Sequence, residues 1–319
     1  MRRILVVTSG RADATPLDPV VSALLRRQAS VEMVSLEECF LSDCCGSASA
    51  HLSGFAPDLM LVLGDRYEML AACLAATVAK VPIAHIHGGE ITRGSFDNQI
   101  RDAITKLSHV HFVATFDAWD RVAHELGEYK PYKPFGVERI HLVGAPGLDN
   151  LTDLPPRVPT KTFVLTYHPA TLGENAAPAI VEALQAFPDY EVIWTGVNND
   201  PGSDEVRKAF SHYRERKLTA REYHLACRQA ACVIGNSSSG IIECPTIGVP
   251  TVNVGSRQYG REQGPSIFNA SDDADDIVLC INRALSYSGA YQNPYGGPGA
   301  SKKIADVLTS IELEGLLNK

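Results

Sequence analysis

Short, almost continuous apolar runs recur along the chain, and each is followed by a longer stretch whose apolar positions return with helical spacing. Strand-like and helical segments that alternate in this way predict parallel α/β layers. The first half predicts strands at Ile4–Val7, Leu59–Val62, Ile83–Ile86, His111–Val113 and Ile140–Val143. Helices are predicted over Leu17–Arg27, Glu68–Ala79, Asp97–Leu107 and Ala118–Leu126. A proline-rich connector, Leu154-Pro155-Pro156-Arg157-Val158-Pro159, then interrupts the pattern. It restarts with strands at Phe163–Thr166, Val192–Trp194, Cys232–Ile234 and Pro250–Val254 and helices near Ala177–Ala186, Glu205–Phe210, Glu222–Gln229 and Asp275–Leu285. The tail from Ser301 to Leu316 reads as one more helix. The expected fold is α/β, with two Rossmann-like doubly wound domains over residues 1–156 and 157–319.

Ligands of doubly wound sheets sit at the carboxyl ends of the strands, and polar residues collect there in this chain. Gly10-Arg11-Ala12-Asp13, Gly64-Asp65-Arg66, His87-Gly88-Gly89-Glu90 and Tyr167-His168-Pro169 each follow a predicted strand. Taken singly, each has an ordinary explanation: Asp65 caps a helix, or Arg11 forms a surface ion pair. The fifth turn is the richest. In Ala231–Glu243 a buried strand runs into Asn236-Ser237-Ser238-Ser239 at a predicted helix start, where unpaired N–H groups and the helix dipole favour an anion. Those side chains suit a phosphate or a plain N-cap equally well. Gly235 and Gly240 would let backbone approach a ligand, and Glu243, one turn in, is within reach of a ribose hydroxyl.

The net charge of −8 excludes the basic surface that nucleic acid or an anionic membrane requires, so any bound phosphate must be met locally. No apolar run approaches a membrane span, and Met1-Arg2-Arg3 leads straight into a strand, which sets the expected location as the cytoplasm. The eight cysteines form no C-x-x-C pair and read as reduced thiols. His85-Ile86-His87 and His109-Val110-His111 each place two imidazoles on one strand face. The ligand sets of zinc motifs are missing, so no metal is expected.

Several motifs, in order, carry a family resemblance: Gly64-Asp65-Arg66, His85-Ile86-His87-Gly88-Gly89-Glu90, Ile100–His109 and Gly144-Ala145-Pro146-Gly147-Leu148-Asp149 in the first half. Tyr167-His168-Pro169, Gly235-Asn236-Ser237-Ser238-Ser239-Gly240, Arg257-Gln258-Tyr259-Gly260-Arg261-Glu262 and Asn293-Pro294-Tyr295-Gly296 continue it. Together they resemble the hydrolysing UDP-N-acetylglucosamine 2-epimerases of sialic-acid and related nonulosonic-acid synthesis. The resemblance implies the two-domain glycosyltransferase-B architecture, a UDP-sugar in the interdomain cleft, a C-terminal helix crossing back to the first domain, and a homo-oligomer. It also implies elimination of UDP across C1–C2 of the sugar and addition of water with inversion at C2, with no metal or cofactor.

By the same resemblance, Asn236, Ser237, Ser238, Ser239 and Gly240 match the diphosphate-binding turn and His168 a residue beside the diphosphate. Glu243 matches the ribose contact, Arg11 a position near the nucleotide, and Arg66, Asn198 and Arg257 further substrate contacts. Asp65 and Asp97 match carboxylates that act on the sugar. Where several members carry a glutamate two residues before Gly89 this chain has His87, with Glu90 the nearest carboxylate; both are expected at the catalytic centre. The segment between the Gly-Arg-Ala-Asp turn and Gly64 is shorter than in the family, with Ser30–Ser53 in place of the usual stretch. Loss of a strand, a helix and a sugar-facing loop is expected there. A glycosyltransferase of the same fold, a UDP-sugar hydrolase without epimerisation and a binding protein without turnover are the alternatives.

Overall fold

The computed structural model describes residues 1–37, 40–92, 97–129, 138–169, 175–197 and 202–317, without the side chains of 11 and 12. Two compact units emerge. One combines Met1–Glu90, Asp97–Asn150 and Tyr295–Lys319; the other is built on Leu151–Pro294.

The first unit runs β1 (Arg3–Thr8), α1 (Arg11–Arg26), β2 (Ser30–Ser35), α2 (Leu41–Phe55), β3 (Leu59–Leu63), α3 (Tyr67–Val78), β4 (Ile83–Ile86), α4 (Asp97–Leu107), β5 (Val110–Val113), α5 (Phe116–Glu125) and β6 (Ile140–Leu142). Its six strands are parallel in the order β2-β1-β3-β4-β5-β6. The central strand β3 is buried at all five positions, as expected of a parallel sheet covered on both faces. One face packs Leu17, Val20 and Leu24 of α1, the other Cys44, Ala48 and Leu52 of α2 with Met69, Ala72 and Ala76 of α3.

In the second unit come β7 (Thr162–Thr166), α6 (Ala177–Leu184), β8 (Glu191–Trp194), α7 (Ser203–Ala209), α8 (Ala220–Gln229), β9 (Cys232–Gly235), α9 (Ser239–Ile242), α10 (Cys244–Ile247), β10 (Thr251–Val254), β11 (Ile267–Ala270) and α11 (Ala274–Leu285). The sheet is again parallel, ordered β11-β10-β9-β7-β8. The final helix, α12 (Ala300–Ser310), belongs to the first unit, where Ile304, Ala305 and Leu308 join the core beside α1.

Several expectations are corrected. The shortened segment forms both a strand and a helix, β2 and α2. β2 is a half-exposed edge with one fully buried side chain, Val34. α2 buries only a narrow stripe of small or medium side chains spaced by four, Cys44, Ala48 and Leu52, so neither shows a strong hydrophobic pattern. Cys44 is disulfide-bonded, whereas Cys45, Cys73, Cys227, Cys232, Cys244 and Cys280 are free thiols. Helix α1 starts at Arg11, ahead of the predicted Leu17, and includes Pro16 and Pro19. Pro19 lacks the N–H that would bond the Thr15 carbonyl; the Asn150 side chain supplies that donor at 2.9 Å.

Candidate functional site

In each sheet the strand order reverses beside the first strand of the unit. The chain moves from β1 out to β2 and then lays β3 on the other side of β1; likewise it moves from β7 to β8 and then lays β9 on the other side of β7. A crevice at the carboxyl ends of such a strand pair is where doubly wound sheets bind ligands. Of the expected site residues, Arg11, Asp65 and Arg66 come after β1 and β3, and His168 and Asn236–Gly240 after β7 and β9, whereas His87 and Glu90 follow β4 and Arg257 follows β10.

In the first unit, Asp65 follows β3 and its carboxylate is held by the Arg101 guanidinium. Arg101 is 1 % exposed. It also donates to the Glu90 carbonyl and, at 2.9 Å, to Asn98 Oδ1, so one buried cation joins the turn after β3, the turn after β4 and the first turn of α4. Asp97 is the first residue of that helix. From the sequence, Arg101 had no role of its own beyond its place in the Ile100–His109 motif. The signal available was its place on the apolar stripe of α4, between Ile100 and Ile104 and one turn after Asp97.

The turn after β4 is shaped by His87, at φ +66°, and Gly89, where a Cβ would overlap the Ala118 carbonyl. His87 Nδ1 lies 2.5 Å from Glu90 Oε1, with both side chains largely buried. This dyad can pass a proton between an imidazole and a carboxylate. His85 donates Nε2–H to the Gly64 carbonyl at 2.8 Å and takes the Thr105 hydroxyl on Nδ1 at 3.3 Å. Burial lowers its pKa to about 4. Both ring nitrogens are committed, so His85 is a neutral support for the Gly64-Asp65 turn. Among the described residues, no three His, Cys, Asp or Glu side chains gather as a metal-binding group.

Arg66 makes a two-point contact with the buried Glu68 carboxylate, at 3.3 Å to each oxygen. Asp13, whose carboxylate accepts from the Ser9 N–H and hydroxyl, has a pKa raised by burial, against the lowering effect of those bonds and of Arg66. The Arg11 side chain lies outside the described residues, as does Asn198.

The second unit holds a tighter constellation. Asn236 is 1 % exposed. Its Oδ1 accepts the His168 N–H at 2.8 Å, and its Nδ2 donates to the His168 carbonyl at 2.7 Å. β7 and β9 are in register at Thr166 and Gly235, so this side chain continues the ladder beyond both strands. The Asn236 carbonyl in turn accepts from Arg257 Nη1 at 3.2 Å and Gln258 Nε2 at 2.9 Å. Burial, and then the Arg257 charge, lowers the His168 pKa to about 3, so its imidazole is neutral at pH 7. It can donate a hydrogen bond to an anion without first carrying a proton charge.

Beyond Asn236, Ser239 Oγ lies 3.1 Å from Ser237 Oγ and 2.6 Å from the Tyr223 hydroxyl. Glu243 Oε2 meets His224 Nε2 at 3.2 Å. Two expectations change here. The predicted single helix is two short turns, α9 and α10, broken at Glu243, and the N-cap Ser238 makes no side-chain cap bond. Packing also calls for both glycines: a Cβ on Gly235, at φ +137°, would overlap the Thr166 carbonyl, and one on Gly240 would come 2.8 Å from Thr251 Cγ2. Tyr223 and His224 were unread because their partners are distant in sequence.

Comparison with known proteins matches residues 40–309 to the family model described as UDP-N-acetylglucosamine 2-epimerase. The chain is 34% identical to the Escherichia coli polysialic acid biosynthesis protein P7 over 80% of this chain and 70% of that one. It is 33% identical to the Legionella pneumophila UDP-N,N'-diacetylbacillosamine 2-epimerase (hydrolyzing), over 82% of this chain and 74% of that one. Among solved structures, it is similar in fold to UDP-GlcNAc 2-epimerase from Neisseria meningitidis bound to UDP-GlcNAc. The TM-score is 0.80 at 18% identity, over 97% of this chain and 100% of that one. Two parallel doubly wound sheets and this likeness place the chain in the glycosyltransferase-B fold class. Among the described residues, no helix is long and apolar enough to cross a membrane.

Proposed function

Because the chain belongs to the UDP-N-acetylglucosamine 2-epimerase family, we propose that it converts a UDP-N-acetylglucosamine-type sugar to UDP and a free N-acetylmannosamine-type sugar. The observation that carries this reading is the Asn236–His168 pair at the β7/β9 switch point, which anchors the His168 backbone, with a neutral imidazole under the charge of Arg257 and Asn236 leading straight into Ser237–Ser239. A leaving diphosphate needs donors already aimed at its developing charge, in a site that excludes water. His168 donates to the departing oxygen, Ser237, Ser238 and Ser239 with Gly240 line the anion, Arg257 offsets its charge, and Glu243 takes the ribose. Arg11, Arg66 and Asn198 complete the substrate contacts.

The sugar chemistry falls to the first unit. A carboxylate among Asp65, Asp97 and the His87–Glu90 dyad removes the C2 proton as the C1–O bond breaks, giving UDP and a glycal-like alkene. Water then adds its oxygen to C1, and a proton returns to C2 on the opposite face, which inverts that centre. General acid–base steps of this kind contribute about 10²–10⁴-fold each. The hydrolysing type is supported by the Legionella relative, whose name carries it.

Turnover of UDP-N-acetylglucosamine and its 4-acetamido, 6-deoxy relatives in heavy water tests the reading. The expected product is the free manno sugar with deuterium at C2. A free gluco sugar without C2 deuterium would replace epimerisation by plain hydrolysis, and a UDP-linked manno product would make the enzyme non-hydrolysing.

A further inference from the structure

Helix α8 places two consecutive side chains on residues of the proposed nucleotide site: Tyr223 on Ser239 and His224 on Glu243. The helix is a firm support. It opens with a Thr219–Glu222 capping box, and Arg228 near its end donates to the Pro155 carbonyl at 2.8 Å and to the Ile247 carbonyl. His224 is 3 % exposed, on the same buried face as Cys227. A polar ring there is costly unless it is hydrogen-bonded, and Glu243 is the partner it meets.

A carboxylate accepts only, so Nε2–H of His224 donates to Oε2 of Glu243 at 3.2 Å. The bond uses one of the roughly four lone-pair positions of the carboxylate and fixes its plane. The Glu243 side chain stays one-fifth exposed (21%), which leaves acceptor sites open to two adjacent hydroxyl donors. The 2′- and 3′-hydroxyls of a ribose are such a pair. We propose that His224 is a positioning residue that orients Glu243 to accept both ribose hydroxyls, making the site selective for a ribonucleoside diphosphate over its 2′-deoxy counterpart. This rests on the reading that the second unit binds UDP.

Calorimetric titration of UDP and 2′-deoxyuridine diphosphate into the wild-type protein, His224→Leu, His224→Gln and Glu243→Ala tests it. A hydrogen bond to a charged group predicts a wild-type preference for UDP of about tenfold or more. His224→Leu is expected to bring that ratio toward parity by weakening UDP alone, and to raise KM for the UDP-sugar with little change in kcat. His224→Gln, which restores an N–H donor, should recover both. Should His224→Leu fail to fold, His224→Asn, whose shorter side chain withdraws the donor, gives the same reading. Loss of the preference in Glu243→Ala but not in the leucine or asparagine variant would overturn the role of His224. Equal wild-type affinity for the two ligands, or an unchanged ratio in Glu243→Ala, would overturn ribose selection by Glu243 while UDP binding itself stood. Absence of UDP binding to the folded wild-type protein would instead refute the nucleotide reading, and this proposal with it.

Discussion

The Asn236 side chain acts as a stretch of β backbone for His168, accepting its N–H at 2.8 Å and donating to its carbonyl at 2.7 Å. A two-point bond fixes both position and direction, which a single bond would not. Asn236→Ala strips both partners and leaves the buried ends unpaired, a cost of about 1–3 kcal/mol for each group that finds no water. Urea unfolding is expected to show that loss. UDP affinity and turnover should fall with it, although Asn236 spends its amide on His168.

His168 is neutral before the nucleotide arrives, since burial and Arg257 hold its pKa near 3. The pH profile of kcat/KM reports groups of the free enzyme. It is therefore expected to carry no inflection from His168 across about pH 5 to 8, where an ordinary histidine titrates. His168→Ala should slow turnover about a hundredfold or more by removing a donor from the departing oxyanion. His168→Gln, which keeps an N–H, should leave the shape of the profile unchanged.

Arg101 reaches Asp65, Glu90 and Asn98 from a position that is 1 % exposed. A lysine carries the charge without the planar fork that spans three acceptors. Arg101→Lys is expected to lower turnover more than UDP affinity. Arg101→Ala removes one side of a largely buried pair, for about 3–5 kcal/mol of lost stability, measurable by urea denaturation.

The alternation of strands and helices was legible because central strands such as Leu59–Leu63 are buried along their whole length. The turns carrying Asp65, His87 and His168 were legible as polar turns because each directly follows a buried strand. Weakly patterned edges were not, as β2 and β11 show with their half-exposed side chains, and α2 hides its core face in cysteine and alanine. Long-range pairing was also hidden. Nothing local in Asn236 announces a partner 68 residues away, so a residue with capping chemistry proved to be a ladder extension. Gly235 likewise answers to the Thr166 carbonyl, a neighbour that only the sheet register supplies.

His85 and His111 sit opposite each other on β4 and β5, and burial lowers their pKa values to about 4 and about 3. In the unfolded chain each titrates near about 6.5. The unfolded state therefore binds more protons between those limits. Stability from the neutral rings is fully present above about pH 6.5 and declines as the pH falls toward the folded values. Urea midpoints should drop over that window. His85→Gln, which keeps the donor to the Gly64 carbonyl, is expected to flatten the decline by up to one proton of uptake.

Asp65 is the counter-charge of the buried Arg101, and Asp97 opens α4 one turn before it. If both handle the sugar, Asp65→Asn and Asp97→Asn should each cut turnover by about 10²–10⁴-fold while UDP affinity holds within a small factor. Asp65→Asn leaves the Arg101 guanidinium facing a neutral amide and is expected to lower the urea midpoint. Restoring a neutral partner for the amide with Arg101→Gln in the Asp65→Asn background should recover part of the stability without recovering turnover. Equal loss of UDP affinity in either aspartate variant would assign that residue to the nucleotide and remove it from the proton-transfer steps.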